Sequence, residues 1–230
     1  MLEARSGGEE KTGPDYGRRP RPLQSFQELR TRFRIKYTVE EQYQFAAHLD
    51  RVRAFYRSLR RSELPIAYTK GFAPKPMLSF GPPLPVGLVS SGEYLDVFTA
   101  YHYTGNIVRD LGTFLPKGLR IAAARPIARE NPSLGRIINL ARYDVTLPKA
   151  FDGDFAALVE RARGLTGVKE LLPSPERTVV LDLGIEAGIK LFDALAGIFE
   201  ISDTEARSLS VRRRDCLVAQ NGRIRTPMED

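Results

Sequence analysis

The chain has 230 residues, 42% of them hydrophobic, with a formal net charge of +7 and a sequence pI near 9.6. That length can bury a sizeable core as one large domain or two small ones, and the basic balance points to anionic partners. A single cysteine, Cys216, excludes a disulfide framework and a thiolate zinc site within one chain, and two histidines, His48 and His102, leave no basis for a His-rich metal site.

Residues 1–27 are rich in Gly, Pro and charge and have almost nothing to bury, so they read as a disordered lead, with Arg18, Arg19 and Arg21 as a weak assist to binding. From Thr31 to Val39 the residues alternate. Phe33, Ile35, Tyr37 and Val39 share one face, and Arg32, Arg34 and Lys36 share the other, which predicts a half-exposed strand with a basic outer face. Glu40 to Gln42 make the turn into a helix over 48–61.

On a helical wheel at about 100° per residue, Arg53, Arg57, Arg60 and Arg61 fall within an arc of roughly 100° that also holds Asp50. Leu49, Val52, Phe55, Tyr56 and Leu59 are read as the opposite, docked stripe. No acid stands at an i+4 position to pair these arginines, so they repel one another unless solvated or met by an anion. Arginine suits planar, bidentate contact with phosphate or carboxylate. Between Arg30 and Phe80 there are eleven Lys/Arg against four Asp/Glu, an excess equal to the net charge of the whole chain. His48 falls on the apolar side and is expected to be a core or helix-start residue. Asp50 either complements the positive end of the helix or pairs with Arg53 or Arg57.

Pro65 stops the helix, and Ile66 to Thr69 begin a second strand. Lys70 to Pro76 form a rigid, bent connection with Gly71 expected at positive φ. Phe72 is placed either to stack on a ring or base or to plug the core under the loop, and the plug is the expectation. Met77 to Phe80 extend the sheet and Gly81 to Ser91 form a Pro/Gly loop. A strand over Glu93 to Ala100, a helix over Thr104 to Leu115 and a strand over Gly118 to Ala124 follow. Arg129 to Arg136 read as a linker, after which the pattern restarts: strand 138–147, helix 152–163, strands 167–172 and 177–184, helix 186–199, strand 207–214. The predicted fold class is α+β, two ferredoxin-like βαββαβ units in tandem, 30–125 and 138–215, with a polar tail over 219–230. Val211 to Arg214 are read as the end of the last strand, either extending the basic surface or carrying solvated edge charges.

The run His48-Leu49-Asp50, Arg53, Arg57, Arg60-Arg61, Leu64-Pro65, Tyr68, Gly71-Phe72, Pro74, Pro76 and Ser79-Phe80 continues through Pro83 to Gly87, Ser90, Glu93 and Asp96. It resembles the radical-SAM-linked protein family, a domain of unknown function encoded beside, or fused behind, a radical SAM protein with a cobalamin-binding-type domain. The resemblance is specific over about 30–125. It implies a radical SAM protein as partner, while the single cysteine excludes from this chain the three-cysteine cluster site that a radical SAM enzyme needs. Ala47 stands where the family has Ser, removing an apparent capping box with Asp50 that is worth about 1 kcal/mol. Thr69 replaces Ser. Ala73 and Lys75 replace Asn and His, which keeps a cation in the loop and removes an acid–base group.

The expected function is a non-catalytic accessory module that binds RNA, through Asp50, Arg53, Arg57, Arg60, Arg61, Tyr68, Lys70, Gly71, Phe72 and Lys75. One alternative is an RNA-processing endoribonuclease with His48 as base and Arg57 or Lys70 as phosphate clamp. Another is an adaptor whose Arg face meets an acidic protein. The sequence carries no phosphate-binding Gly-rich loop, no metal-ligand cluster and no Ser/His/Asp arrangement, so no cofactor is expected. There is no apolar run of about 18 residues and no apolar leader in Met1 to Glu10, and a cytoplasmic protein is the expectation.

Overall fold

The computed structural model describes residues 31–147, 151, 153–186 and 188–229, so the lead over 1–27, with Arg18, Arg19 and Arg21, lies outside them. The first half runs β1 (Arg32–Val39), α1 (His48–Arg61), β2 (Leu78–Phe80), β3 (Val89–Phe98), α2 (Ile107–Gly112) and β4 (Leu119–Ile127). After the short α3 (Leu134–Ile137), the second half runs β5 (Leu140–Thr146), α4 (Phe155–Gly164), β6 (Val168–Ser174), β7 (Thr178–Gly184), α5 (Leu191–Phe199), α6 (Asp203–Ser208) and β8 (Val211–Gln220), with β9 (Arg223–Arg225) turned back on β8. The architecture is mixed α/β. One nine-stranded sheet has the order β4-β1-β3-β8-β5-β7-β6, with β2 added on β3 and β9 on β8. A short parallel pairing, Val89 with Arg212 and Ser90 with Arg213, joins the halves into that sheet.

The helix face of the sheet carries one continuous apolar core. Ile35, Phe55, Leu59, Leu95 and Val97 meet Val145, Leu158, Leu181, Leu195 and Ile198 within it. Strand alternation sends Tyr94 and Asp96 to the other face, where Tyr94, Leu134, Ile138 and Cys216 form a small second cluster with Met228 packed on it.

That second layer corrects three sequence readings. Arg129 to Arg136 are not a free linker, because α3 supplies the fully buried Leu134. The residues after Ala219 form β9 and then a covering strap, whose Pro227 carbonyl accepts from Arg34 (3.1 Å). The basic face of β1 is buried rather than half-exposed. Arg32 donates to the carbonyls of Arg129 (3.2 Å), Asn131 and Pro132 (3.1 Å). Asp96 lies directly across from Arg34 on β3 and accepts from Arg32 Nη2 (2.6 Å) and Arg34 Nε (2.9 Å). Lys36 reaches Asp215 (2.6 Å), which also accepts from the Tyr94 hydroxyl (2.7 Å). The cations of β1 are therefore neutralised by acids of neighbouring strands and do not belong to an external basic surface.

The second half carries a related correction. Val211 to Arg214 begin β8 instead of ending a strand, Arg213 is buried, Arg214 pairs with Asp144, and Arg212 is exposed. Helices α2 and α5 are shorter than expected. Helix α6 takes up the first residues of the strand expected over 207–214, because Ser202 and Glu205 form a reciprocal capping box that starts a helical turn there.

Cys216 gives a test of this second layer. Its thiol is buried, and burial pushes it up to about 12 against the opposing charge of Arg213. A thiol reagent at pH 8 is expected to label no cysteine in native protein and one per chain in denaturant. Rapid labelling of the native protein would show that the strap and α3 do not close this face.

Candidate functional site

Helix α1 docks through Arg51, Ala54, Phe55, Ser58 and Leu59, which recur at i, i+3, i+4, i+7 and i+8. Ser58 returns its hydroxyl to the Ala54 carbonyl and also reaches the Phe114 carbonyl, both at 2.9 Å. On the opposite side Arg53, Arg57, Arg60 and Arg61 are exposed. Asp50 pairs with Arg53 (3.2 Å), one of its two expected roles, in an exposed contact worth about 0–1 kcal/mol. Arg61 donates to the Phe114 carbonyl (2.6 Å). Arg57 and Arg60 have no hydrogen-bond or ion-pair partner among the described residues.

Two residues of α1 depart from the expected stripe. Leu49 is 63% exposed at the helix start. Its wheel angle, about 40° from Arg53, puts it beside the arginines. Arg51 lies about 160° from Arg53 on the same wheel and is 1% exposed. It donates to the carbonyls of Ala46 (3.0 Å) and Leu84 (2.6 Å). A second buried arginine, Arg213, donates to Glu93 (3.2 Å), to the carbonyls of Pro82 (3.3 Å) and Pro83 (3.0 Å), and to the Tyr143 hydroxyl (3.1 Å). The Gly81–Leu88 segment is thus held by two buried guanidiniums, Arg51, for which the sequence gives no separate reading, and Arg213, which is neither a surface cation nor a solvated edge charge. For Arg51 the wheel angle was the available signal.

His48 is half-buried, with its ring edge-on to Phe80 at 5.7 Å. Burial, and then the charge of Arg51, pull its pKa below the ordinary histidine value, so the imidazole is neutral at pH 7. No hydrogen bond to it is made among the described residues. The Lys70–Lys75 segment lies past the other end of α1, whose 14 residues span about 20 Å. The structure therefore does not bring His48 and Lys70 together as base and clamp.

The second strand expected at Ile66 to Thr69 is reduced to isolated bridges, Ile66 with Thr99 and Tyr68 with Pro76. They root a small hairpin, closed where the Thr69 amide donates to the Lys75 carbonyl (2.8 Å) and the Lys75 amide to the Thr69 hydroxyl (3.0 Å). Tyr68 is half-buried at the root and packs against the core. Gly71 adopts φ +128°, as expected for the bend. Lys70, Gly71, Phe72, Ala73, Pro74 and Lys75 are all exposed, and neither lysine has a side-chain partner among the described residues. Phe72 does not plug the core. It is the most exposed large apolar residue described, at 112%.

The hairpin extends from the end of the sheet where the Thr99 amide bonds to the Thr31 carbonyl. That is also where α1 delivers the chain, since Pro65 accepts from the Ala100 amide (2.6 Å). Arg60 and Arg61, in the last turn of α1, thus lie toward the hairpin end of the molecule, with Arg57 one turn back along the helix and Asp50 and Arg53 nearer its start. An open polar cleft of about 330 Å³ at that other end is lined by Thr38 to Gln42, Val89 to Ser91, Arg120 and Arg212, with Arg120 paired to Glu40 at 3.3 Å. Among the described residues, no cluster of His, Cys, Asp and Glu could hold a metal, and no helix is long and apolar enough to cross a membrane.

Residues 32–225, from β1 through β9, match the family described as "Uncharacterized protein conserved in bacteria (DUF2344)". No curated protein matches the sequence.

Proposed function

The chain belongs to that bacterial family, and on this premise we propose that it is a non-catalytic module holding RNA on the exposed arginines of α1 and the Lys70–Lys75 hairpin. The carrying observation is that Arg57 and Arg60 are exposed and unpartnered among the described residues and share one helix face with exposed Arg53 and Arg61, whereas the buried arginines Arg32, Arg34, Arg51 and Arg213 are each hydrogen-bonded. An exposed guanidinium pair without a carboxylate is favourable where it meets phosphate. Over the first half the non-helical face of the sheet is closed by α3 and the C-terminal strap, so the anion surface falls on the α1 side.

The strand orders β4-β1-β3-β2 and β8-β5-β7-β6 repeat around each half's own helices. They support reading each half as a ferredoxin-like unit, a scaffold that often presents RNA, which is an analogy at the level of fold. The resemblance of the His48–Phe80 stretch supports a radical SAM protein as the system this cytoplasmic module serves.

If four to six phosphates are neutralised, log K for bulk host RNA falls against log salt with a slope of about −3 to −4, at roughly 0.7 per contact. Arg57→Ala/Arg60→Ala is expected to lower the slope by about 1.4 units and to weaken all sequences alike. A salt titration of wild type and double mutant, followed by fluorescence anisotropy, measures both. A slope near zero, or a double mutant that binds as wild type does, overturns the reading.

A second reading, an adaptor for an acidic protein, is favoured by the exposed apolar side chains Phe45, Val86 and Leu49, at and just before the start of α1 and on the Gly81–Leu88 segment. The Gly87 amide donates to the Gln44 carbonyl (2.9 Å), which sets Val86 beside Phe45 at the arginine-bearing helix. Apolar patches rimmed by charge suit protein contacts. On this reading the neutral substitution Leu49→Ser abolishes partner capture and leaves the salt slope of RNA binding unchanged.

A further inference from the structure

We infer that Phe72 is a stacking platform for an unpaired nucleobase, so that the RNA held by this surface is single-stranded where it crosses the hairpin. The inference rests on the RNA reading above and names the class of substrate. Three observations carry it.

The first is the ring itself. At 112% exposure it touches essentially nothing in its own chain, although a phenylalanine gains by burial and an unsupported aromatic has no structural work to do at a loop tip. The second is the rigidity of its mount. The hairpin is closed by the Thr69–Lys75 hydrogen bonds, and its root is tied to β3 by the Ala67 amide donating to the Phe98 carbonyl (2.8 Å). Pro74 and Pro76 fix their own φ angles within it. Gly71 at φ +128° makes the bend, and a Cβ added there would meet nothing within 4 Å. The glycine is therefore required for the backbone angle that turns the tip and not for space. A backbone held this way loses little freedom on binding, which leaves only the ring's own rotamers to be fixed.

The third observation is charge. Lys70 and Lys75 flank the ring, exposed and unpartnered among the described residues, and Arg60 and Arg61 lie in the last turn of α1, which leads through Pro65 to the same end of the sheet. A cationic track interrupted by one bare aromatic is the arrangement that binds single strands. Phosphates follow the cations while a base, whatever its identity, lays its π-face on the ring. A duplex hides its base faces, so it offers the lysines phosphates but gives the ring nothing to stack on.

The chain contains no tryptophan, so Phe72→Trp creates a single fluorescent reporter at the tip. The test compares wild type, Phe72→Trp, Phe72→Ala and Phe72→Leu in the full chain. The probes are a single-stranded RNA oligomer, its duplex, and inorganic polyphosphate.

Single-stranded RNA is expected to quench the indole emission of the Phe72→Trp variant, whereas polyphosphate binds without quenching. Phe72→Ala and Phe72→Leu are both expected to weaken single-strand binding about 5- to 100-fold with the salt slope unchanged, and to leave duplex binding as it was. The leucine variant keeps apolar bulk without a ring. Full retention of single-strand affinity by leucine would indicate insertion into an apolar pocket of a protein or RNA fold, and overturns stacking. So does an equal loss for single strand and duplex, or the absence of quenching by bound RNA. Wild type that binds RNA with the expected salt slope while Phe72→Ala binds equally well refutes the platform alone. Wild type with no salt-dependent RNA binding refutes the underlying RNA reading.

Discussion

Asp96→Ala is expected to cost about 3–5 kcal/mol of stability, enough to remove most of the margin of a typical domain. Asp96 has 0% exposure and is the shared carboxylate between two nearly buried guanidiniums, Arg32 and Arg34. Its removal leaves two like charges facing each other out of water, with carbonyl oxygens and, for Arg32, the Phe98 ring face (5.3 Å) as the remaining partners among the described residues. The same two arginines tie down Arg129 to Pro132 and Pro227, so the covering layer should loosen with the pair. Asp96→Asn keeps the shape and one acceptor but not the charge, and should fall between wild type and alanine. Urea unfolding of the three proteins measures this, with exposed Glu130→Ala as a control expected within about 0.5 kcal/mol. A loss below about 1 kcal/mol for Asp96→Ala would mean that water reaches the guanidiniums and that the strap does not seal this face.

Arg213→Ala should cost a similar amount, about 3–5 kcal/mol, by a different route. Arg213 sits where β8 meets β3, the parallel contact that joins the two halves. Burial acts against its charge, but Glu93, Cys216 and Tyr143 together more than offset this and hold its pKa well above the usual arginine value. Truncation strands the Glu93 carboxylate, the carbonyls of Pro82 and Pro83 and the Tyr143 hydroxyl together. Hydrogen exchange should speed up first in β3, β8 and the Gly81–Leu88 segment. Arg213→Lys should recover only part of the loss, because a point charge cannot span the carboxylate and both carbonyls. Exposed Arg212→Ala, one residue away, is expected to be nearly silent. If the two alanine variants unfold at the same denaturant concentration, the junction does not depend on this cluster.

The sequence by itself determined the faces of the elements. Alternation in β1 placed Phe33, Ile35, Tyr37 and Val39 on the core side, and the 3.6-residue period of α1 turned Arg53, Arg57, Arg60 and Arg61 outward. The bend at Gly71 followed from glycine's freedom at positive φ, and helix α1 began and ended where its pattern and Pro65 indicated. What covers a polar face was decided only by tertiary structure, because periodicity reports that a side chain points away from one core and not what it then meets. Arg34 looked solvated until Asp96, 62 residues on, and Pro227, 193 residues on, closed over it. Arg51 had the right angle for burial and the wrong charge for it. Arginine is rarely fully buried unpaired, and the Leu84 carbonyl that satisfies it comes from 33 residues further along the chain. Phe72 shows the converse: an apolar residue in a loop is expected to fold inward, yet the closing bonds of its hairpin leave the ring with no neighbour to pack on. Local pattern fixes direction at low cost in information, whereas a long-range partner depends on how distant strands and straps are brought together, which no short window of residues contains.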